Sequence, residues 1–161
     1  MPISADEFKA VMGLRASGVA IVTARAGDEI HGMTMSDFAG VSLSPPLVLI
    51  CADKTANTLK VIEKGGNFAI NVLARGQDAL SNKFASKKDE WTRFEGLDCG
   101  RAVTGAPLIP GALASLDCTV VAQHDAGDHI IVVGLIEATQ RSAGEPLLFF
   151  SGAYRALAER T

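Results

Sequence analysis

The sequence predicts a mainly β, α+β fold, a closed antiparallel β-barrel with a few short helices, built as a single domain over residues 1–161. Three observations lead there. Six or more segments have the composition of strands, only two or three short stretches have helical spacing, and most strands are separated by turn sequences that suit hairpins. A doubly wound parallel sheet would need a helical crossover between successive strands, and the order of the segments does not supply it.

Taken along the chain, Ser4-Ala5-Asp6-Glu7 has the spacing of a capping box, with the Ser4 hydroxyl placed to accept from the backbone of Glu7. Phe8, Val11, Met12 and Leu14 then form an apolar face at helical spacing, which predicts a helix that stops near Ser17-Gly18. Val19 to Ala24 is β-rich, Ala26-Gly27-Asp28 is a turn, and Glu29 to Thr34 returns as the second arm of a hairpin. Pro45-Pro46 bends the chain before Leu47 to Ala52, an apolar run between turn signals that reads as a buried strand. Thr55 to Lys64, with Leu59, Val61 and Ile62, reads as a helix closed by Gly65-Gly66. Phe68 to Leu73 is a strand, and Gln77 to Phe84 is a short helix carrying Leu80 and Phe84 four residues apart. Residues 86–110 are irregular and polar and include the only tryptophan, Trp91; a loop of that length in a compact domain is functional or covers something. Leu113 to His124 and Ile130 to Thr139 are long strands that pair across Asp125-Ala126-Gly127-Asp128, and Leu147 to Phe150 is a last short strand.

Composition narrows the function classes. A 48% hydrophobic content is high for a soluble chain of 161 residues and is expected to bury a subunit interface. A net charge of −3 without a dense basic block argues against nucleic acid or an anionic membrane surface as the partner. The three cysteines, Cys51, Cys99 and Cys118, are odd in number and far apart, so neither a disulfide framework nor a thiolate zinc site is expected; Cys51 and Cys118 fall in strand-like runs and read as core. The first residues lack the regions of a signal peptide and no apolar run approaches a membrane span, so the expected location is the cytoplasm. No GxGxxG follows a strand, no phosphate-loop motif and no GxSxG elbow occur, and His31, His124 and His129 have no metal-ligand spacing, so no metal is expected.

The polar residues at the two ends of the Leu47–Ala52 run are the candidate site. Thr34, Ser36, Ser42, Thr55, Asn57 and Thr58 bring hydroxyls, an amide and backbone N–H groups, and Lys54 brings a positive charge, a set that can hold a phosphate without a dedicated loop. The same residue types also cap turns and helices, and composition alone leaves both readings open.

Gly32-Met33-Thr34, Val41-Ser42-Leu43-Ser44-Pro45-Pro46-Leu47-Val48-Leu49 and Asn57-Thr58 resemble the corresponding blocks of the flavin reductase family, short FMN-binding split-barrel proteins that are the reductase components of two-component flavin monooxygenases. The resemblance continues through Phe68 to Leu73, Gly105-Ala106-Pro107-Leu108, Gly111 to Ala114 and Gly127-Asp128-His129, nearly the whole chain in the family's order. It implies a split barrel of the FMN-binding type, a homodimer, FMN or FAD as flavin, NADH or NADPH as hydride donor, and a separate monooxygenase that receives reduced flavin.

Site residues follow from the resemblance by position. Met33, Thr34, Met35, Ser36 and Asp37 would lie along the ring and ribityl chain, with Ser42 close by, and Asp53, Lys54, Thr55, Asn57 and Thr58 would hold the phosphate end. Ser81, Lys83, Phe84 and Lys87 match a second flavin-contacting stretch; for Lys83 and Lys87 an ordinary amphipathic helix end is an equal reading. Gly127, Asp128 and His129 would hold the nicotinamide, His129 being the candidate catalytic residue, and Tyr154 would border the site. The family often has Asn-Ser-Phe where this chain has Ser36-Asp37-Phe38, which sets an acid near an electron-rich ring. Two other activities suit the same fold: a reductase that keeps its flavin and reduces a corrinoid or metal complex, and a flavin-binding electron carrier without enzymatic activity.

Overall fold

The structure is a computed structural model, and it describes residues 2–88 and 90–158. In chain order the elements are α1 (Ala5–Met12), β1 (Ser17–Gly18), β2 (Ala20–Ala26), β3 (Glu29–Met35), β4 (Phe38–Leu43), β5 (Pro46–Asp53), α2 (Asn57–Gly65), β6 (Asn67–Val72), α3 (Asp78–Ala85), a single 3₁₀ turn (Glu90–Thr92), β7 (Ala114–Ala126), β8 (His129–Arg141), β9 (Leu148–Phe150) and β10 (Ala153–Arg155). Seven strands form one sheet in the order β3-β2-β6-β7-β8-β5-β4, with every neighbouring pair antiparallel. The ladder does not join β3 to β4, so the barrel is split and not closed as the hairpin pattern alone predicts. A second small sheet, β1-β9-β10, ties the two chain ends together.

The strand β2 explains why the sheet holds. Ala20, Val22 and Ala24 face a large core with Ile50, Phe68, Ile70 and Val132, while Ile21 faces a second core with Leu73, Phe84 and Ile109. A strand covered on both faces must be apolar almost throughout, which is how this one reads. Helix α2 closes the first core with Leu59, Val61 and Ile62, each fully buried side chain contributing about 1.5–3 kcal/mol. It ends where expected, on Gly66 at φ +66°. Asn71 fixes the long loop from within the sheet: its Oδ1 accepts from the Ile109 amide at 3.0 Å and from the Ser115 hydroxyl at 2.8 Å.

Two departures have physical causes. The first helix stops at Met12 with Gly13 as its cap, five residues short of the expected end, and none of its residues is buried, so no tertiary contact extends it. The expected apolar face lies in solvent, with Phe8 at 56% and Leu14 at 65% exposure. The strand β4 was not legible because Phe38–Leu43 is a mostly exposed edge strand that carries a glycine and a register shift between Gly40 and Ser42.

Candidate functional site

Three pieces of this fold converge. Strand β5 ends at Asp53 directly before the start of α2, and its register places Asp53 opposite His129, the first residue of β8. Helix α3 lies across β3, where the Thr34 hydroxyl donates to the Ser81 carbonyl at 2.6 Å. Gly32 permits that approach, since a Cβ there would stand 2.9 Å from the Phe84 ring. Between these pieces is a cleft of about 290 Å³ lined by Met33, Thr34, Asp53, Thr55, Ala56, Asn57, Thr58, Phe84, Ala85, Lys87, Glu90 and Arg93.

Eight residues of the sequence expectation meet in that cleft: Met33, Thr34, Asp53, Thr55, Asn57, Thr58, Phe84 and Lys87. The others do not line it. Met35 packs on the large core, and Ser36 and Ser42 are half-buried outside the cleft. Asp37 pairs with Arg15 at 2.6 Å, so its charge is engaged by a guanidinium on another segment. Lys54 grips the Asp125 carboxylate at 2.8 Å and the Gly127 carbonyl at 2.6 Å and thereby anchors the β7–β8 turn. Lys83 donates to the Glu95 carbonyl at 3.1 Å. The Ser81 hydroxyl accepts from Tyr154 at 2.8 Å, which makes both residues braces between α3 and β10.

The turn Gly127-Asp128 joins β7 and β8 with Ala126 paired to His129, and Gly127 has the φ of +69° that such a turn needs. His129 Nδ1 lies 2.7 Å from Asp128 Oδ1, and its side chain is 41% exposed. That hydrogen bond holds the Asp128 carboxyl below its ordinary range. Asp53 is held low chiefly by the hydroxyl and amide of Thr55, with the charges of His129 and Lys87 adding to the effect.

The sequence reading missed Glu90, Arg93 and His31, a polar group at the floor of the cleft in which Arg93 and His31 are buried and Glu90 is half-buried. Arg93 is 3% exposed and donates to the Gly32 carbonyl at 2.6 Å and the Ser86 carbonyl at 2.5 Å, clasping β3 to the loop after α3. Its guanidinium also stands 3.4 Å from Glu90, which accepts from the Asn57 amide at 3.0 Å. His31 meets Thr58 at 2.7 Å, and burial lowers its pKa below 6.5. Of the thiols, Cys118 is pushed up to about 12 by burial, leaving it an inert core group as expected.

The donor set suits a flavin nucleotide. Ala56, at the head of α2, supplies no side-chain cap, so the positive end of the helix faces the cleft beside Lys87. Met33, Ala56, Phe84 and Ala85 give an apolar wall for a ring edge. Among the described residues no cluster of His, Cys, Asp and Glu could hold a metal ion, and no helix is long and apolar enough to cross a membrane.

A split barrel with a cleft of this lining between the end of β5, the head of α2 and α3 is an architecture that can hold part of a flavin nucleotide. The family described as Flavin reductase like domain matches residues 12–158, and the chain belongs to that family. It is 42% identical to an NADH-dependent flavin reductase of Rhodococcus sp, over 93% of this chain and 85% of that protein. It is 40% identical to the reductase component of 4-hydroxyphenylacetate 3-monooxygenase of Thermus thermophilus, over 94% and 96% of the two chains. The structure of the NADH:FAD oxidoreductase SgcE6 of Streptomyces globisporus C-1027 in complex with NAD and FAD fragments superposes with a TM-score of 0.88 at 37% identity, covering 95% of this chain and 92% of that one.

Proposed function

We propose that this chain is an NADH-dependent flavin reductase that reduces FMN or FAD and supplies the reduced flavin to a separate monooxygenase component. The observation that carries the reading is the meeting of eight family-matched residues in one cleft whose mouth is flanked by the Asp53–His129 register pair. When bound, the flavin supplies a ring that accepts a hydride. The residues of this chain bind and align. Lys87, Thr55 and the uncapped head of α2 meet the phosphate, Met33 and Phe84 flank the ring, and Gly127, Asp128 and His129 hold the nicotinamide against it. NADH is favoured as donor by the names of the relatives, and FMN and FAD both suit a cleft that encloses only part of a nucleotide.

The protein is proposed to be a cytoplasmic homodimer. Support comes from apolar surface that the single chain leaves open: Phe8 at 56%, Leu14 at 65% and Leu43 at 93% exposure. Sedimentation equilibrium is expected to give twice the chain mass.

Anaerobic stopped-flow absorbance tests the activity. Protein with FMN or FAD, mixed with NADH, is expected to bleach the oxidised flavin band, and ultrafiltration afterwards is expected to find the flavin free. Bleaching with retained flavin would favour a reductase for another acceptor. Flavin binding without bleaching would leave an electron carrier, and no binding would overturn the flavin reading.

A further inference from the structure

The only tryptophan of the chain stands beside the cleft without lining it. Trp91 belongs to the 3₁₀ turn Glu90–Thr92, whose first residue lines the cleft, as does Arg93 two positions on. The turn is firmly seated: Arg93 is clasped to the Gly32 and Ser86 carbonyls, and Phe94 packs on the second core. Trp91 itself is 77% exposed. Its ring meets the ring of buried His31 at 5.7 Å and 80°, an edge contact that orients the indole and leaves most of its surface open.

The rim next to this indole also carries a cation. Asn57, the first residue of α2, donates to Glu90 Oε2 at 3.0 Å and accepts from Lys60 Nζ at 3.0 Å. The other Glu90 oxygen stands 3.4 Å from both Arg93 and His31, so the acid is turned toward the protein. The Asn57–Glu90 bond therefore has an exposed ammonium at one end and an exposed indole at the other, adjoining the helix head where the flavin phosphate is placed.

We infer that Trp91 is the stacking platform for the adenine of a dinucleotide flavin, with Lys60 beside its outer phosphate, so that the protein takes FAD in preference to FMN. This rests on the flavin reading proposed above and extends it past the cleft. A mononucleotide ends at the phosphate held by Lys87 and the head of α2 and reaches neither rim group. A dinucleotide continues outward with a second phosphate and a purine, the two chemistries that a cation and an open aromatic face receive. Because the turn is already held by Arg93 and the indole by His31, stacking costs little further ordering.

Fluorescence titration with FMN and with FAD tests the platform. The parent protein is expected to bind FAD about tenfold more tightly than FMN. Trp91→Ala is expected to erase that difference by weakening FAD alone; an FMN Kd that stays in place shows the variant to be folded. Trp91→Phe is expected to restore most of the preference, and Lys60→Ala to weaken FAD about threefold without moving FMN. NADH also carries an adenine, so its KM is measured with FMN as the flavin and is expected to be the same in Trp91→Ala and the parent. Equal affinity for the two flavins in the parent, an equal loss of both in Trp91→Ala, or a change confined to the KM for NADH would each overturn the inference and leave the reductase reading standing. A parent protein that binds neither flavin would overturn the flavin reading and this inference with it.

Discussion

Two histidines flank the same cleft in opposite surroundings. His31 is sealed beneath it, bonded to Thr58 and facing Glu90, and burial chiefly holds its pKa below 6.5. His129 stands on a hairpin with 41% of its side chain exposed, hydrogen-bonded to the neighbouring Asp128 and helping to lower the Asp53 carboxyl. The buried ring is committed to the protein and can act only through what it touches. The exposed ring keeps Nε2 open to solvent-borne molecules, which is what a second, transient substrate requires. Stability should therefore respond to changes on the buried side, and ligand recognition to changes at the hairpin.

The largest effect is expected at Arg93. Arg93→Ala removes hydrogen bonds to two carbonyls and leaves Glu90 without its guanidinium, a cost of about 3 kcal/mol and a Tm about 6–12 °C lower in thermal unfolding followed by circular dichroism. An unchanged Tm would break the division between the two sides. Next, Lys87→Ala should weaken FMN about tenfold in fluorescence titration, leave riboflavin unchanged, and move stability by less than about 0.5 kcal/mol. His129→Ala should raise KM for NADH about tenfold while the Tm and the flavin Kd stay where they are. A KM that does not move would dissociate the hairpin from the nicotinamide.

The smallest effect concerns pH. The folded-state pKa of His31 lies below 6.5, so between that lowered value and 6.5 the unfolded chain binds more protons than the folded one. Stability contributed by His31 thus falls as pH drops through that window and is fully present above it. The slope of Tm against pH between 7 and 5 should be shallower in His31→Gln than in the parent.

How much could be read from the chain depended on whether a feature was local. The hairpin at Ala26-Gly27-Asp28 and the long one at Gly127-Asp128 are written in contiguous turn residues between apolar runs, and both formed with the expected pairing. The helix closed at Gly65-Gly66 is equally local. Strand β4 has neither alternation nor burial, so its pairing with β5 is a tertiary fact without a local sign. At the site, a family resemblance was needed to choose a ligand over simple capping, and it placed Lys54, Lys83 and Tyr154 in the site where the structure uses them as braces. The His31–Thr58–Glu90–Arg93 group was invisible because its members come from β3, α2 and an aperiodic loop. An arginine in an otherwise polar loop reads as solvated; only its position between two carbonyls shows that it is buried.

The long hairpin has a consequence for how this activity could diversify. Strands β7 and β8 have 13 residues each, and from Gln123 to Asp128 every residue is exposed while Ser115, Asp117 and Cys118 lie in the body of the protein. The tip is a cantilever rooted in the core and guyed by one lysine. Ala126, Gly127 and Asp128 are all exposed, so the turn can change in sequence free of the packing that ties every change at Arg93 to the survival of the fold.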